Sequence, residues 1–318
     1  MKPKKYQLFD SATLEPFRKL QLRDGEVGAK KRAYAERLDR YGEMRELVQA
    51  PVLSALSKVN HEMPNFVEVT AFIRRQLALM RLAPRGDRPI VILPILLLGQ
   101  PGVGKTRYAH QIAKAIKVEF HEITFATTSA SFVLKGSNLQ WGEGQAGRIF
   151  EILADSKHIN PLVLIDEVDK AITSNYQPIN VLYELLEPYQ ARRFQDEALN
   201  GVYLNASYII WMLTANEPNK IPPAIISRCQ VFNIPVPNKK QMFKVAQSIY
   251  KSILEEKPWA DKFETKLRDD VIKKINSMPP REIRKVLMDG LGRAAELKVN
   301  RVLPESISVV YAKRKIGF

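Results

Sequence analysis

The residues with the clearest chemistry lie in the stretch LLLGQPGVGKTRYAHQIA, positions 96–113. Within it Gly99, Gln100, Pro101, Gly102, Val103, Gly104, Lys105 and Thr106 follow the spacing G-x-x-x-x-G-K-[ST]. Glycines at those places let backbone N–H groups turn inward around phosphate oxygens, and a helix starting there points its positive end at the same anion. A lysine next to the helix start reaches the outer phosphates, and a Thr hydroxyl is a hard ligand for Mg²⁺. Arg107, on the first helical turn, joins the candidate binding set. The competing reading is a glycine turn with no ligand. An apolar strand before the motif and a helical pattern after it favour the phosphate cradle.

A second constellation sits some sixty residues on. Leu162-Val163-Leu164-Ile165-Asp166-Glu167 is an apolar strand ending in two acids. Asp166 is the candidate Mg²⁺ ligand, usually through water. Glu167 is the candidate general base that polarises an attacking water. Alone, two acids at a strand end would be read as a solubilised loop. Downstream of a phosphate cradle they acquire a use.

Both constellations need a sheet to hold them, and the pattern supplies one. Ile90 to Leu98 is almost wholly apolar and ends in the glycine loop, as a strand buried on both faces does. A helix is expected over about Gly104–Ile116. Further strands are expected around Val118–Ile123 and over 161–166, 207–214 and 231–234. Strands alternating with helices give an α/β fold around a five-stranded parallel sheet flanked by helices. From about residue 237 the pattern turns helical, over Met242–Glu256, Phe263–Ile275 and Arg281–Lys298, and forms a small C-terminal lid. Ahead of the sheet, Tyr34, Leu38, Tyr41, Met44 and Val48 recur at helical spacing over 27–50, ended by Pro51. A second helix is expected from about Asn65 to Leu82, and PRGDRP at 84–89 breaks the chain. Residues 1–25 show little periodicity and read as irregular or a loose arm. The expected domains are 1–62, a basic and mostly helical extension; 63–236, the α/β nucleotide-binding domain; and 237–318, the lid.

Composition limits the function classes. Formal net charge is +15, which suits acidic partners such as nucleic acid, anionic lipid or an acidic protein surface, though a merely solvated basic surface fits equally. One cysteine, Cys229, permits no internal disulfide and suits a reducing cytoplasm. The longest apolar run, IVILPILLLG, is too short to span a membrane, and MKPKKYQLFD has no apolar core of a signal peptide. His61, His110, His121 and His158 show no metal-ligand spacing with one another or with Cys229.

Taken together these motifs resemble an AAA+ ATPase, a P-loop NTPase, over roughly residues 63–318. The resemblance implies bound ATP and Mg²⁺, and it adds three residues. Asn216, in Leu213-Thr214-Ala215-Asn216, stands where the family keeps its sensor 1. Arg228, in IPPAIISRCQVF, stands where the family keeps an arginine finger that acts on a neighbouring subunit's nucleotide. Arg281, in Pro279-Pro280-Arg281-Glu282-Ile283-Arg284, stands at the sensor 2 helix start. In isolation these could be a turn residue, a surface ion pair and a proline-initiated helix. Within the family the likeness is nearest to the ATPase module of Lon proteases. DEVDK at 166–170, LLEPYQARRFQDEAL at 185–199, TANEPNKIPPAIISR and the ending SVVYAKRKIGF carry it.

The same resemblance implies a homo-oligomeric ring, of six copies in that family's manner, that grips a polypeptide. Trp141, on the glycine-rich stretch LKGSNLQWGEGQAGRI, is the candidate pore aromatic; packing its own loop is the alternative, since large aromatics are mostly buried. Phe194 is a weaker second candidate, because phenylalanine is more often core. The sequence as given is expected to lack the Ser/Lys protease dyad domain that begins in Lon after the lid, and to carry about sixty basic residues in place of Lon's large substrate domain. The expectation is therefore a Lon-like ATP hydrolase without intrinsic protease activity, cytoplasmic, not in a membrane, and able to work with a separate peptidase or adaptor. The alternatives are a DNA-associated loader or motor, which the charge and Ser227-Arg228-Cys229 suit, and a nucleotide-gated scaffold, against which Glu167, Asn216 and Arg228 argue.

Overall fold

The computed structural model describes residues 4–21, 25–84, 86–127, 131–140, 143–171, 177–255 and 257–307. Its centre is a five-stranded sheet of β3 (Ile95–Leu98), β4 (Phe120–Thr124), β5 (Leu162–Asp166), β8 (Ile210–Ala215) and β9 (Gln230–Asn233). The strands are ordered β4-β5-β8-β3-β9, every neighbouring pair parallel. Strand side chains alternate between faces, and both faces are apolar. Leu96, Leu98, Val163, Ile165 and Leu213 join one core; Ile95, Leu97, Leu162, Leu164 and Met212 join the other. This is why the strands read as unbroken apolar runs. It is an AAA+ P-loop fold, with helices covering the sheet.

The expected Ile90–Leu98 strand is shorter. Only Ile95–Leu98 enters the ladder, because Pro94 has no N–H to donate; its carbonyl instead accepts from Gln230 N at 2.7 Å. The expected strand over 207–214 begins with a 3-10 turn at Ala206–Tyr208 before β8. An antiparallel hairpin that the periodicity does not reveal, β6 (Phe194–Gln195) with β7 (Tyr203–Leu204), precedes β8. Two residues per strand leave no pattern to detect.

The N-terminal segment differs most from expectation. The helix runs over Gly25–Asp39 only. Gly42, at φ +75°, turns the chain back, and Met44–Glu46 becomes β2, paired antiparallel with β1 (Lys5–Gln7). Left-handed φ is open to glycine at no steric cost, so the helical spacing of Met44 and Val48 is fortuitous. Residues 4–21 are not a loose arm. Leu8, Phe9 and Leu14 are buried in the same core as Phe150 and Trp211. Arg45 fastens the segment down. It is 2% exposed, and its guanidinium donates to the carbonyls of Leu38, Leu153, Ala154 and Ser156. Those groups close two helices, Gly25–Asp39 and Arg148–Asp155, whose last carbonyls have no partner within the helix. Burial pushes the Arg45 guanidinium down to about 10.

A further helix, Ala55–Glu62, precedes Val67–Met80, which accounts for the expected Asn65–Leu82 helix. Past the sheet, the helices Lys239–Glu255, Asp269–Ile275 and Pro280–Glu296 share a separate core containing Ile249, Ile272, Ile283 and Leu287. Residues 263–268 are not helical. There the Leu267 N–H donates to Gln247 Oε1 at 3.1 Å, so a side chain satisfies the backbone instead of a helical turn. Among the described residues no helix is long and apolar enough to cross a membrane.

Candidate functional site

The phosphate-cradle residues sit where β3 ends and the helix Lys105–Ile116 begins. Gly102 and Gly104 have φ of +83° and +104°, conformations that side-chain-bearing residues rarely adopt. Gly99 is required for a second reason: a Cβ there would stand 2.7 Å from the carbonyl oxygen of Ile234. Gly104 caps the helix and has no side chain to occupy its first N–H groups. Asn65, on the segment before the sheet, braces the loop from behind. Its Nδ2 donates to Pro235 O at 3.1 Å and Val103 O at 3.4 Å. Val103 itself points into the core.

Lys105 is buried, and its ammonium donates to Gly99 O at 2.6 Å, Gln100 O at 3.2 Å and Asn216 Oδ1 at 2.7 Å. Burial lowers its pKa, while Asp166, Asp169 and Glu167 act in the opposite direction. Thr106 Oγ1 donates to Asp166 Oδ2 at 3.0 Å, with Oδ1 at 3.2 Å. A hydroxyl converging with a carboxylate is a hard oxygen pair of the kind Mg²⁺ takes when phosphates and water complete its shell. Among the described residues no group of three or more His, Cys, Asp or Glu is placed to hold a metal ion.

Glu167 stands just past β5 with φ +56° and ψ +48°. For a non-glycine residue this left-handed backbone costs about 1–2 kcal/mol, and such strain gathers at functional sites. Its N–H donates to Thr214 Oγ1 at 3.0 Å. The same hydroxyl donates to Asp166 Oδ1. Asp169 is buried, and its Oδ2 accepts from Asn216 N at 3.1 Å and Glu217 N at 3.0 Å. Thr214 and Asp169 escaped the sequence reading as site residues. Both lie inside quoted motifs, LTAN and DEVDK, but nothing in spacing tells which way they point.

Lid and sheet close on one cleft of about 420 Å³, lined by Pro101, Gly102, Gly104, Lys105, Thr106 and Arg107 below, Asp166, Glu167, Thr214 and Asn216 to one side, and Ile249, Pro280, Arg281 and Arg284 from the lid. The Arg281 Cβ lies 3.6 Å from the place a Cβ on Gly102 would occupy. Arg107 lines the cleft and also ties it to the lid, donating to Ser248 Oγ at 2.9 Å and Ser248 O at 3.2 Å. Arg284 is a lining residue that the sequence reading quoted without assigning.

Arg228 is not in this cleft. It follows the short helix Pro223–Ile226, donates to Ala224 O at 2.7 Å, and lies 5.9 Å above the Tyr183 ring. Trp141 lies outside the described residues. The base of its loop is closed by Ser137 N donating to Gln145 O at 2.9 Å. Phe194 corrects an expectation: it is fully buried in the core, so its ring has no face to offer a substrate chain. Its strand is only two residues long, too short for alternation to be phased from sequence.

A parallel sheet whose β3 leads through a glycine loop into a helix, with acids at the end of β5, defines a P-loop nucleotide-binding α/β protein. Residues 95–236 match the family described as "ATPase family associated with various cellular activities (AAA)". Similar proteins include the Lon protease of Campylobacter concisus, 35% identical over 151 residues, 47% of this chain and 18% of that one. The peroxisomal Lon protease homolog 2 of Oryza sativa subsp. indica is 29% identical over 194 residues, covering 61% and 21%. That of Spinacia oleracea is 27% identical over 252 residues, covering 77% and 28%. The chain thus spans less than a third of the length of these relatives. Among solved structures, the Thermotoga maritima RuvB Holliday junction branch migration motor superposes with a TM-score of 0.50 at 16% identity, covering 76% of this chain and 66% of that one. Residues 95–236 thus form an AAA ATPase family domain related to the ATPase module of Lon proteases, and that family implies nucleotide binding and ATP hydrolysis.

Proposed function

We propose that the chain is a Mg²⁺-dependent ATPase that assembles into a homo-oligomeric ring and uses hydrolysis to remodel, unfold or thread polypeptides. The observation that carries the hydrolytic part is the convergence of Lys105, Thr106, Asp166, Glu167, Asn216 and Arg281 on one cleft between sheet and lid. Thr106 and Asp166 would hold Mg²⁺, which when bound neutralises charge on the outer phosphates. The Glu167 carboxylate accepts a proton from the attacking water, and Asn216 orients that water. The Lys105 ammonium meets the phosphate oxygens in place of its present carbonyl partners. Arg281 adds positive charge from the lid in cis. Arg228, outside its own cleft, acts in trans on a neighbour, so turnover requires assembly. Lid motion then follows through Arg107 and Ser248, the direct link from cradle to lid.

The polypeptide part rests on the relation to the Lon module and on the loop closed at Ser137 and Gln145, which carries Trp141. Six copies, a cytoplasmic setting, and a separate peptidase or adaptor in place of an intrinsic protease complete this reading. A DNA-associated loader or motor is the second reading, favoured by the net charge of +15. Steady-state ATPase of the purified chain, alone, with an unfolded protein, and with DNA at two salt concentrations, separates them. Stimulation by unfolded protein supports threading. Stimulation by DNA alone, lost at high salt as phosphate contacts require, overturns it in favour of the DNA motor.

A further inference from the structure

The β5–β8 ladder ends at the pair Ile165 and Leu213. Glu167 and Asn216 therefore lie beyond the backbone hydrogen bonds that register their strands, and something else must set their relative position. Each has its backbone N–H taken by a side chain from the other strand's end. Thr214, past the end of that ladder on β8, accepts from Glu167 N at 3.0 Å. Asp169, following β5, accepts from Asn216 N at 3.1 Å and Glu217 N at 3.0 Å through one oxygen, Oδ2. Both side chains are buried, Asp169 completely so. The other Asp169 oxygen has no hydrogen-bond partner, an arrangement that packing stability alone does not favour. Glu167 is in addition held in the left-handed region, which persists only where the surroundings over-determine it.

We propose that Asp169 and Thr214 are positioning residues for ATP hydrolysis: a reciprocal brace between two strand ends that sets the separation and angle of Glu167 and Asn216. Thr214 also turns the Asp166 carboxylate, through its own O–H. The proposal rests on the catalytic roles given above to Glu167 and Asn216. Neither brace residue need touch the nucleotide. Their effect is on the geometry of the attacking water, where a displacement of about 1 Å can cost on the order of 10²-fold in rate.

Four variants of the full chain test this: Thr214→Val and Asp169→Ala, which remove the acceptor, and Thr214→Ser and Asp169→Asn, which keep an acceptor oxygen. The readouts are kcat for ATP and the Kd of a fluorescent ADP analogue with Mg²⁺. The brace predicts that Thr214→Val and Asp169→Ala lose roughly tenfold or more in kcat while Kd moves less than about threefold. The Ser and Asn variants retain most of the rate. Unchanged kcat in the Val and Ala variants overturns the proposal. So does a parallel loss of binding, or a loss that the Ser and Asn variants share, since either marks a purely structural role. If Asp169→Ala does not fold, the Thr214 pair alone decides by the same criteria. Glu167→Gln run alongside separates the two ideas: should it turn over ATP at the native rate, the catalytic assignment has failed and not the brace.

Discussion

The ammonium of Lys105 stands 2.7 Å from Oδ1 of Asn216, a contact between residues 111 positions apart. It joins the phosphate cradle to the end of β8 and places two of the expected catalytic residues against one another. With Gly99 O and Gln100 O it gives the three ammonium protons three acceptors. Lys105→Ala should therefore abolish nucleotide binding, and Asn216→Ala should leave binding within a few-fold while lowering kcat. Titration with a fluorescent nucleotide beside steady-state ATPase checks both. Loss of binding in Asn216→Ala equal to that in Lys105→Ala would contradict the division of roles.

Glu167→Gln preserves shape and removes the base. General-base catalysis is worth roughly 10²–10⁴-fold, so kcat should fall by at least about 10² while Mg²⁺–ATP still binds. The phosphate-release rate and the nucleotide Kd report the two quantities separately.

Arg228 lies outside its own cleft, on the segment after Pro223–Ile226. If it serves a neighbour, Arg228→Ala and Glu167→Gln are each inactive alone, yet a mixture of the two recovers part of the activity. In a mixed ring, an Arg228→Ala subunit keeps its own Glu167 and borrows the neighbour's arginine. A mixture no more active than its components would remove the trans assignment.

Asp196 links the hairpin to the base of the Trp141 loop: its two oxygens accept from Ala198 N at 2.9 Å and Gly147 N at 2.8 Å. Burial pushes its carboxyl up to about 7, Glu197 and Glu151 adding to that, while the two backbone N–H groups pull the other way. The folded pKa thus exceeds the unfolded one near 3.8. For an acid this sign means that the folded state prefers the protonated form. Its contribution to stability is fully present below the unfolded value and is lost as pH rises from about 4 to 7. Asp196→Asn cannot ionise, so its melting temperature relative to the native chain should climb across that window and level off above it. A difference that is flat with pH would show that Asp196 does not titrate there.

Arg45 is buried with its charge spent on helix-end carbonyls. Arg45→Ala leaves those acceptors orphaned and opens a void. A buried acceptor left without its partner costs about 1–3 kcal/mol. Thermal or urea unfolding should show a loss of that size, with the N-terminal segment becoming protease-sensitive first.

The sequence by itself determined the elements whose signal is local. Glycine spacing at 99–104 names the cradle because glycine reaches the left-handed φ seen at Gly102 and Gly104 without steric cost. Apolar runs over Ile95–Leu98, Leu162–Ile165 and Ile210–Leu213 name a doubly covered parallel sheet because both faces are buried. Those two signals also put Lys105 and Thr106 just after β3 and Asp166 and Glu167 at the end of β5, two strands that β8 separates in the sheet. What they could not supply is direction and distance between segments far apart in the chain. Phe194 faces the core because its strand is too short for alternation to be phased. Residues 44–46 became a strand because Gly42 turned them onto β1, a pairing partner some forty residues away. The hydroxyl of Thr214 and the carboxylate of Asp169 met the backbone of the opposite strand end only once the sheet order placed β5 beside β8. A hydrogen bond acts over about 3 Å, so which groups share one is decided by the fold that brings them together.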